Sequence, residues 1–255
     1  MPNLAIETHG TGDPILFIHG LGGGANVFGP QVGVLSRTHQ CIRFDLPGAG
    51  RSPQADDETS IAGFVVAALA VLDAQAPGKA VHVVAHSMGT VVAQHLALAA
   101  ADRVRSLSLI GPVHAPGDAG RKGLRDRAAT ARSEGLVGIA DAVVAAGTSA
   151  ETKAHRPEVA ALVREFIMRQ PAEGYARHCE ALASVEAADV AKIKAPALLI
   201  TGDEDTTSPP LAARALADKF TRASLVVLDR CGHWTTFERS SEVTSRVLNF
   251  ILQQG

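Results

Sequence analysis

Six short runs along the chain, at residues 15–18, 41–44, 81–85, 106–110, 197–201 and 224–228, are rich in Ile, Val and Leu and apolar at consecutive positions. A strand with one wet face alternates apolar and polar residues, so these runs predict strands covered on both sides in a mostly parallel sheet. Between them the period changes. Ile61, Val65, Ala68 and Leu72 recur at helical spacing, as do Val243, Val247 and Phe250, and each set offers one stripe to bury. Strand and helix alternate, which predicts an α/β fold with helices on both faces of a mostly parallel central sheet.

The alternation breaks across residues 113–191, where no strand pattern occurs and four helices are predicted. The clearest covers residues 156–170, opened by Pro157 and Glu158 and striped by Val159, Leu162, Val163, Phe166 and Ile167. A second follows Pro171 and brings Tyr175, His178, Cys179 and Leu182 to one face. The expected organisation is a core of residues 1–112 and 192–255, with 113–191 inserted as a helical cap.

The run at 81–85 continues into His86-Ser87-Met88-Gly89 and then an apolar helical stretch over 90–101. A serine hydroxyl is a weak nucleophile unless it is exposed, held beside a base and placed near donors for the developing oxyanion. A sharp strand-to-helix turn meets these needs, because it projects Ser87 outward and aims the Met88 N–H and the helix N-terminus at a reacting carbonyl. Small residues must flank such a turn. Gly89 supplies one and Ala85 the other, giving AxSxG where glycine is usual at the first place.

After the first run comes His19-Gly20-Leu21-Gly22-Gly23-Gly24, a glycine-rich turn entering a helix near Val27. On a hydrolytic reading the Leu21 N–H is the second oxyanion donor, Gly20 lets the backbone pass close to a bound acyl group, and His19 braces the loop. The same glycines, with Asp45 at the end of the next strand, also fit an NAD-binding fingerprint. Against a dehydrogenase, Asp45 runs into the tight Leu46-Pro47-Gly48-Ala49-Gly50-Arg51-Ser52 loop, and Tyr175 is the only tyrosine, with no Tyr-x-x-x-Lys pair.

Gly202-Asp203-Glu204-Asp205 follows the run at 197–201, and Cys231-Gly232-His233-Trp234 follows that at 224–228. Loops at the carboxyl ends of parallel strands gather at one edge, so Ser87, Asp205 and His233 can meet. Their order along the chain is the one that nucleophile-elbow hydrolases use. His233 would relay the Ser87 proton and Asp205 would hold its tautomer, with Asp203 and then Glu204 as alternative acids. His82 and His86 share a strand face, but no further ligand completes a metal site, and structural roles are expected. Neither metal nor cofactor is expected.

Composition narrows the class. A hydrophobic fraction of 46% excludes a disordered chain, and 24 basic against 26 acidic residues give no field to gather nucleic acid or an anionic membrane. The longest apolar run, 61–72, falls short of the roughly 20 residues a membrane span needs. Cys41, Cys179 and Cys231 are odd in number and lack CxxC spacing, which reads as reduced thiols. Residues 1–12 carry no basic region followed by an apolar run, so a cytoplasmic enzyme, monomer or homodimer, is expected.

Together these motifs resemble the α/β-hydrolase superfamily over nearly the whole chain, least across the cap. His19–Gly22 looks like its oxyanion loop, Asp45–Ser52 like its turn after the next strand, Ala85–Gly89 like its elbow, and Gly202–Asp205 and Gly232-His233 like its acid and base loops. Within it the chain looks most like 3-oxoadipate enol-lactonases and related carboxylesterases and lactonases. The resemblance implies a small-molecule ester or lactone as substrate. The stretch Gly232–Glu238 is instead similar to carbon-carbon bond hydrolases of ring-cleavage dienoates, though their Gly-Pro-Gly oxyanion loop is absent. Haloalkane dehalogenases and epoxide hydrolases place aspartate where Ser87 stands.

A cap would roof the cleft and set specificity. Phe166, Met168, Tyr175 and Trp234 are its candidate apolar walls, and core packing is the alternative role for each. Arg121, Lys122, Arg125, Arg127 and Arg132 make the first cap helix basic, either as a solvated face or with one arginine clamping a substrate carboxylate. A ligand receptor on the same fold, retaining a slow triad, is the non-enzyme alternative.

Overall fold

The computed structural model describes residues 3–54 and 59–254. Its strands are β1 (Ile6–His9), β2 (Asp13–Ile18), β3 (His39–Phe44), β4 (Val81–His86), β5 (Val104–Ile110), β6 (Ala197–Gly202) and β7 (Ala223–Leu228). They form one seven-stranded sheet in the order β1-β3-β2-β4-β5-β6-β7, parallel except for β1. All six predicted runs are strands. β1 is the addition: an edge strand paired on one side only, whose Glu7 and His9 leave it too polar to stand out as an apolar run.

The helices are α1 (Gly29–Leu35), α2 (Ile61–Gln75), α3 (Met88–Ala99), α4 (Asp118–Glu134), α5 (Val137–Gly147), α6 (Ala150–His155), α7 (Pro157–Met168), α8 (Ala172–Ser184), α9 (Pro210–Ala217), α10 (Thr235–Glu238) and α11 (Ser240–Leu252). Two hydrophobic cores explain why the strands are apolar throughout. Leu16, Ile18, Val83, Ala85, Leu107 and Leu199 point to one face, packed by α2 and α3. Ile15, Phe17, Val84, Ile110, Leu198 and Ile200 point to the other, packed by α1 and α11. The α11 stripe is Val243, Val247 and Ile251; Phe250 is only half-buried, one position off the predicted face. No helix among the described residues is long and apolar enough to cross a membrane.

Between β5 and β6 lie five helices rather than four. The predicted 156–170 helix is α7, which starts at Pro157 because Arg156, before proline, takes a non-helical conformation and ends α6. Its buried stripe is Val159, Val163 and Ile167, while Leu162 faces solvent. On α8, Tyr175, His178, Cys179 and Leu182 are all buried, as their spacing predicts.

This five-helix segment between β5 and β6 is fastened to the rest of the fold on two sides. On one, the His178 Nε2–H donates to the Pro47 carbonyl at 2.8 Å and the Gly50 N–H donates to Gln170 Oε1 at 2.9 Å. On the other, the α5–α6 junction meets the loops after β6 and β7: Ala150 N–H donates to Glu204 at 2.7 Å, Thr206 Oγ1 to the Ala146 carbonyl at 3.1 Å and His233 N–H to the Gly147 carbonyl at 2.8 Å.

Candidate active site

β4 ends at His86 and α3 begins at Met88, leaving a single residue to reverse the chain. That residue is Ser87, with φ 54° and ψ −123°, a left-handed conformation that non-glycine residues seldom hold. It is retained because both flanks are over-determined: the Ser87 N–H donates to the Ile110 carbonyl at 2.9 Å, and its own carbonyl accepts from Thr90 N–H and Oγ1 at 2.8 and 2.7 Å. Gly89 is obligatory here, since a Cβ would run into the Ile18 and His19 carbonyls. Position 85 is different. Ala85 points into the core beneath α2 and α3 and its methyl group is packed there, so the sequence's departure from glycine is accommodated.

Gly20 backs directly on the serine, as a Cβ there would lie 2.6 Å from Ser87 Cβ. Leu21 and Met88, the two expected oxyanion donors, follow Gly20 and Ser87 in their respective turns, so the loop after β2 and the start of α3 flank the hydroxyl. His19 is fully buried, its Nδ1–H donating to the Gly20 carbonyl at 2.9 Å and its Nε2 accepting from Leu46 N–H at 2.9 Å. Burial pushes its pKa down, keeping the neutral form that can accept.

Ser87 Oγ lies 2.8 Å from His233 Nε2, and His233 Nδ1 lies 2.8 Å from Asp205 Oδ2. Three loops that are far apart in sequence supply the three side chains. Asp205 is buried at 2% exposure, and burial alone would raise its pKa. The electrostatic pull and hydrogen bond of the His233 imidazole, with the Ser208 and Thr207 N–H groups on Oδ1 at 2.7 and 2.8 Å, outweigh that and hold it below the usual carboxylate value. An ionised, oriented carboxylate on Nδ1 leaves Nε2 free to accept a proton.

The alternative acids are engaged elsewhere. Asp203 Oδ1 accepts from Cys231 N–H at 3.0 Å, and Glu204 reaches the insertion. Asp45, the candidate ribose acid, accepts from Ala25 N–H at 2.7 Å and from Arg51 N–H and Nε–H at 3.0 Å, so it knits the loops after β2 and β3 together. Among the described residues no group of three or more His, Cys, Asp or Glu side chains is placed to hold a metal ion. His82 Nδ1 is 2.7 Å from Ser106 Oγ, and His86 Nε2–H donates to the His233 carbonyl at 2.9 Å.

Of the expected pocket walls, Tyr175 faces the oxyanion loop, where a Cβ on Gly22 would lie 3.2 Å from its ring. Trp234 and Phe166 belong to an aromatic file that starts beside His233: His86 lies 5.0 Å from His233 and 5.3 Å from Trp234, and Phe237 lies 6.5 Å from Trp234 and 5.6 Å from Phe166. Trp234 is 2% exposed, and Phe166 and Met168 are half-buried. The basic face of α4 is largely committed within the protein: Arg121 caps the Ala183 and Val185 carbonyls, Lys122 pairs with Asp126, and Arg132 bridges Glu173 and Glu180.

Two neighbours of the site are given no individual role by the sequence reading. Gly111, at the carboxyl end of β5, lies against the His233 ring, and Glu238 holds the loop that carries His233. Gly111 carries the strand-end glycine signal that marked the other site loops. Glu238 carries none, because its partners lie up to 89 positions away.

A strained serine between strand and helix, in hydrogen-bond reach of a histidine from the loop after β7 that in turn meets an aspartate from the loop after β6 of a doubly covered, mostly parallel sheet, is the arrangement of the α/β-hydrolase class. The chain belongs to the alpha/beta hydrolase fold family, whose sequence model matches residues 13–240. It is 30% identical over 260 residues to the 2-hydroxymuconate semialdehyde hydrolase of Pseudomonas sp. (strain CF600), covering 97% of this chain and 90% of that protein. Among solved structures it is similar to a thermophilic esterase from Thermogutta terrifontis in a malate-bound form, with a TM-score of 0.93, 26% identity and coverage of 98% and 93%. The enol-lactonase from Burkholderia xenovorans LB400 superposes with a TM-score of 0.91, 28% identity and coverage of 98% of both chains.

Proposed function

We propose that this protein is a serine hydrolase that cleaves a carboxylic ester or lactone of a small molecule. One observation carries the reading: the Ser87 Oγ, His233 and Asp205 chain, with both links at 2.8 Å, sits at a strained turn beside the N-terminus of α3. His233 takes the Ser87 proton as Oγ attacks the carbonyl carbon. The Leu21 and Met88 N–H groups receive the negative charge on oxygen. Collapse expels the alcohol, which His233 protonates, and leaves an acyl-enzyme. Water, deprotonated by the same imidazole, adds to the acyl carbon; the second collapse releases the acid and returns the proton to Oγ. A lactone follows this path with the alcohol still tethered to the acyl group.

The insertion acts as a cap over the cleft, with Gly20, Phe166, Tyr175 and Trp234 bounding the substrate. Its seating on the loop after β3 and on the loop that carries His233 supports that role. The esterase and enol-lactonase neighbours favour esters and lactones. A second reading, carbon-carbon bond hydrolysis of a dienoate, is favoured by the 2-hydroxymuconate semialdehyde hydrolase relative and uses the same nucleophile. A panel of short-chain aryl esters, enol-lactones, acyl-homoserine lactones and ring-cleavage dienoates separates them. The expected result is multiple turnover of an ester or lactone, lost in Ser87→Ala. Turnover of dienoates alone selects the second reading, a single turnover that stalls selects a receptor, and activity surviving in Ser87→Ala overturns the nucleophile.

A further inference from the structure

Glu238 is a carboxylate only 2% exposed, at the end of α10 and five residues after His233. Three donors converge on it. Oε1 accepts from the Gly232 N–H at 3.1 Å, while Oε2 accepts from the Ser149 N–H and the Thr152 hydroxyl, both at 2.8 Å. One oxygen therefore grips the peptide immediately before His233, and the other grips the start of α6 in the insertion. Arg156 closes the same joint from behind, donating to the Phe237 and Glu238 carbonyls at 3.2 and 3.0 Å. Gly232 has no slack, as a Cβ there would lie 2.6 Å from the Gly147 carbonyl and 2.9 Å from Glu238 Oε1.

Burying a carboxylate away from water is costly unless its oxygens are satisfied, and a partly satisfied network is worse than none. A hydrophobic residue would fill this space with less at stake if packing were the only need. What the carboxylate provides is a fixed distance between two parts of the chain. It ties the loop that must deliver Nε2 to Ser87 to the helical insertion above it.

We propose that Glu238 is a positioning residue for the hydrolytic reaction: by locking the Gly232 peptide to Ser149 and Thr152, it sets His233 on the line between Asp205 and Ser87. It touches neither substrate nor reacting atoms and acts through the backbone. The proposal rests on the hydrolase reading and makes the insertion a brace for the base as well as a roof.

The distinguishing variant is Glu238→Gln, nearly the same size but with one acceptor oxygen. Its amide nitrogen must oppose either the Gly232 N–H or the Ser149 N–H, so one side of the joint is released. The readout is the rate at which an alkyl fluorophosphonate labels the full-length protein: Ser87 Oγ forms a bond to phosphorus, fluoride leaves, and His233 takes the hydroxyl proton. This reaction needs the nucleophile and base but not the natural substrate. Each variant is assayed well below its unfolding midpoint, and the proton shared by His233 Nδ1 and Asp205 is followed by its downfield NMR signal.

Labelling of the wild type, none of Ser87→Ala, and labelling of folded Glu238→Gln slowed by about tenfold or more, with the downfield signal shifted or broadened, is the expected result. Thr152→Val, which removes one of the three donors and leaves the Gly232 and Ser149 N–H bonds, should slow labelling by less than Glu238→Gln does. Wild-type rate and signal in Glu238→Gln, with only a lower melting temperature, overturns the positioning role and leaves the hydrolase reading standing. An unlabelled wild type overturns both. If Glu238→Gln does not fold, Glu238→Asp keeps the charge but is one methylene too short to span all three donors; an intermediate rate supports the proposal and a wild-type rate overturns it.

Discussion

Gly111 stands against the imidazole of His233, with no room for a methyl group: a Cβ at Gly111 would lie 2.8 Å from His233 Cε1 and 2.9 Å from Nδ1. Its φ of +54° would also strain any L side chain. The glycine after β5 thus defines the back wall against which the ring rests, and Asp205 and Ser87 fix it at its two nitrogens.

Gly111→Ala should therefore displace the ring by a few tenths of an ångström to an ångström and lower kcat on an aryl acetate by about 100-fold, with little change in KM. Steady-state kinetics on the folded variant check this. A kcat within twofold of wild type would show that the wall yields.

Asp205→Asn keeps the shape of the acid but not its charge. Asparagine can present its amide N–H to His233 Nδ1, which selects the tautomer that carries the proton on Nε2 and cannot accept from Ser87. Loss of kcat/KM on the order of 10⁴-fold is expected, against roughly 10-fold or less for Asp203→Asn and Glu204→Gln, whose carboxylates hold Cys231 N–H and Ala150 N–H instead.

Stability should fall on the acid side of neutrality. His82, His86 and His178 are buried as neutral bases, pushed from an ordinary 6.5 down to about 4, about 3 and about 4, with burial the largest cause in each. Unfolding returns them to 6.5, so between these values the unfolded chain binds more protons and stability rises with pH. Their contribution is complete above about pH 6.5 and is lost as the pH drops towards 4. Calorimetric melting temperatures should be nearly level above that window and decline through it, with a shallower slope in His178→Gln; a level profile down to pH 4 would contradict the assignment.

The three cysteines should be silent in the folded protein. Cys41 and Cys179 are raised to about 12 and Cys231 is raised further, burial being the chief cause, and all three are buried. An aromatic disulfide reagent at pH 8 should find no fast-reacting thiol natively and all three after denaturation. One fast native equivalent would mean that a cysteine environment opens.

What the chain disclosed in one dimension followed how local each requirement is. The elbow was readable because strand, serine, small residue and helix are contiguous, and Gly89 is constrained by the Ile18 and His19 carbonyls beside it. The acid was ambiguous among Asp203, Glu204 and Asp205, which share one tight turn. Only the meeting with Ser208, Thr207 and His233 separates them. β1 lacked an apolar signature because none of its four residues is buried: Ile6 and Glu7 are half-covered, and Thr8 and His9 face solvent. Four helices are legible between β5 and β6 where five stand, and nothing in the sequence near Thr148 announces that a distant carboxylate will claim the Ser149 N–H. Glu238 belongs to the same class: its role is written in the company it keeps after folding.

The double anchorage of the insertion bears on how this scaffold can be re-engineered. A designer who transplants a foreign segment between β5 and β6 removes the Gly147 carbonyl, the Ser149 and Ala150 N–H groups and the Thr152 hydroxyl in one cut, leaving the buried Glu238 with only its Gly232 bond and Glu204 turned back to solvent. Chimeras that exchange residues 204, 206 and 238 together with the graft keep both halves of each clasp, and specificity can then be traded without unseating the imidazole.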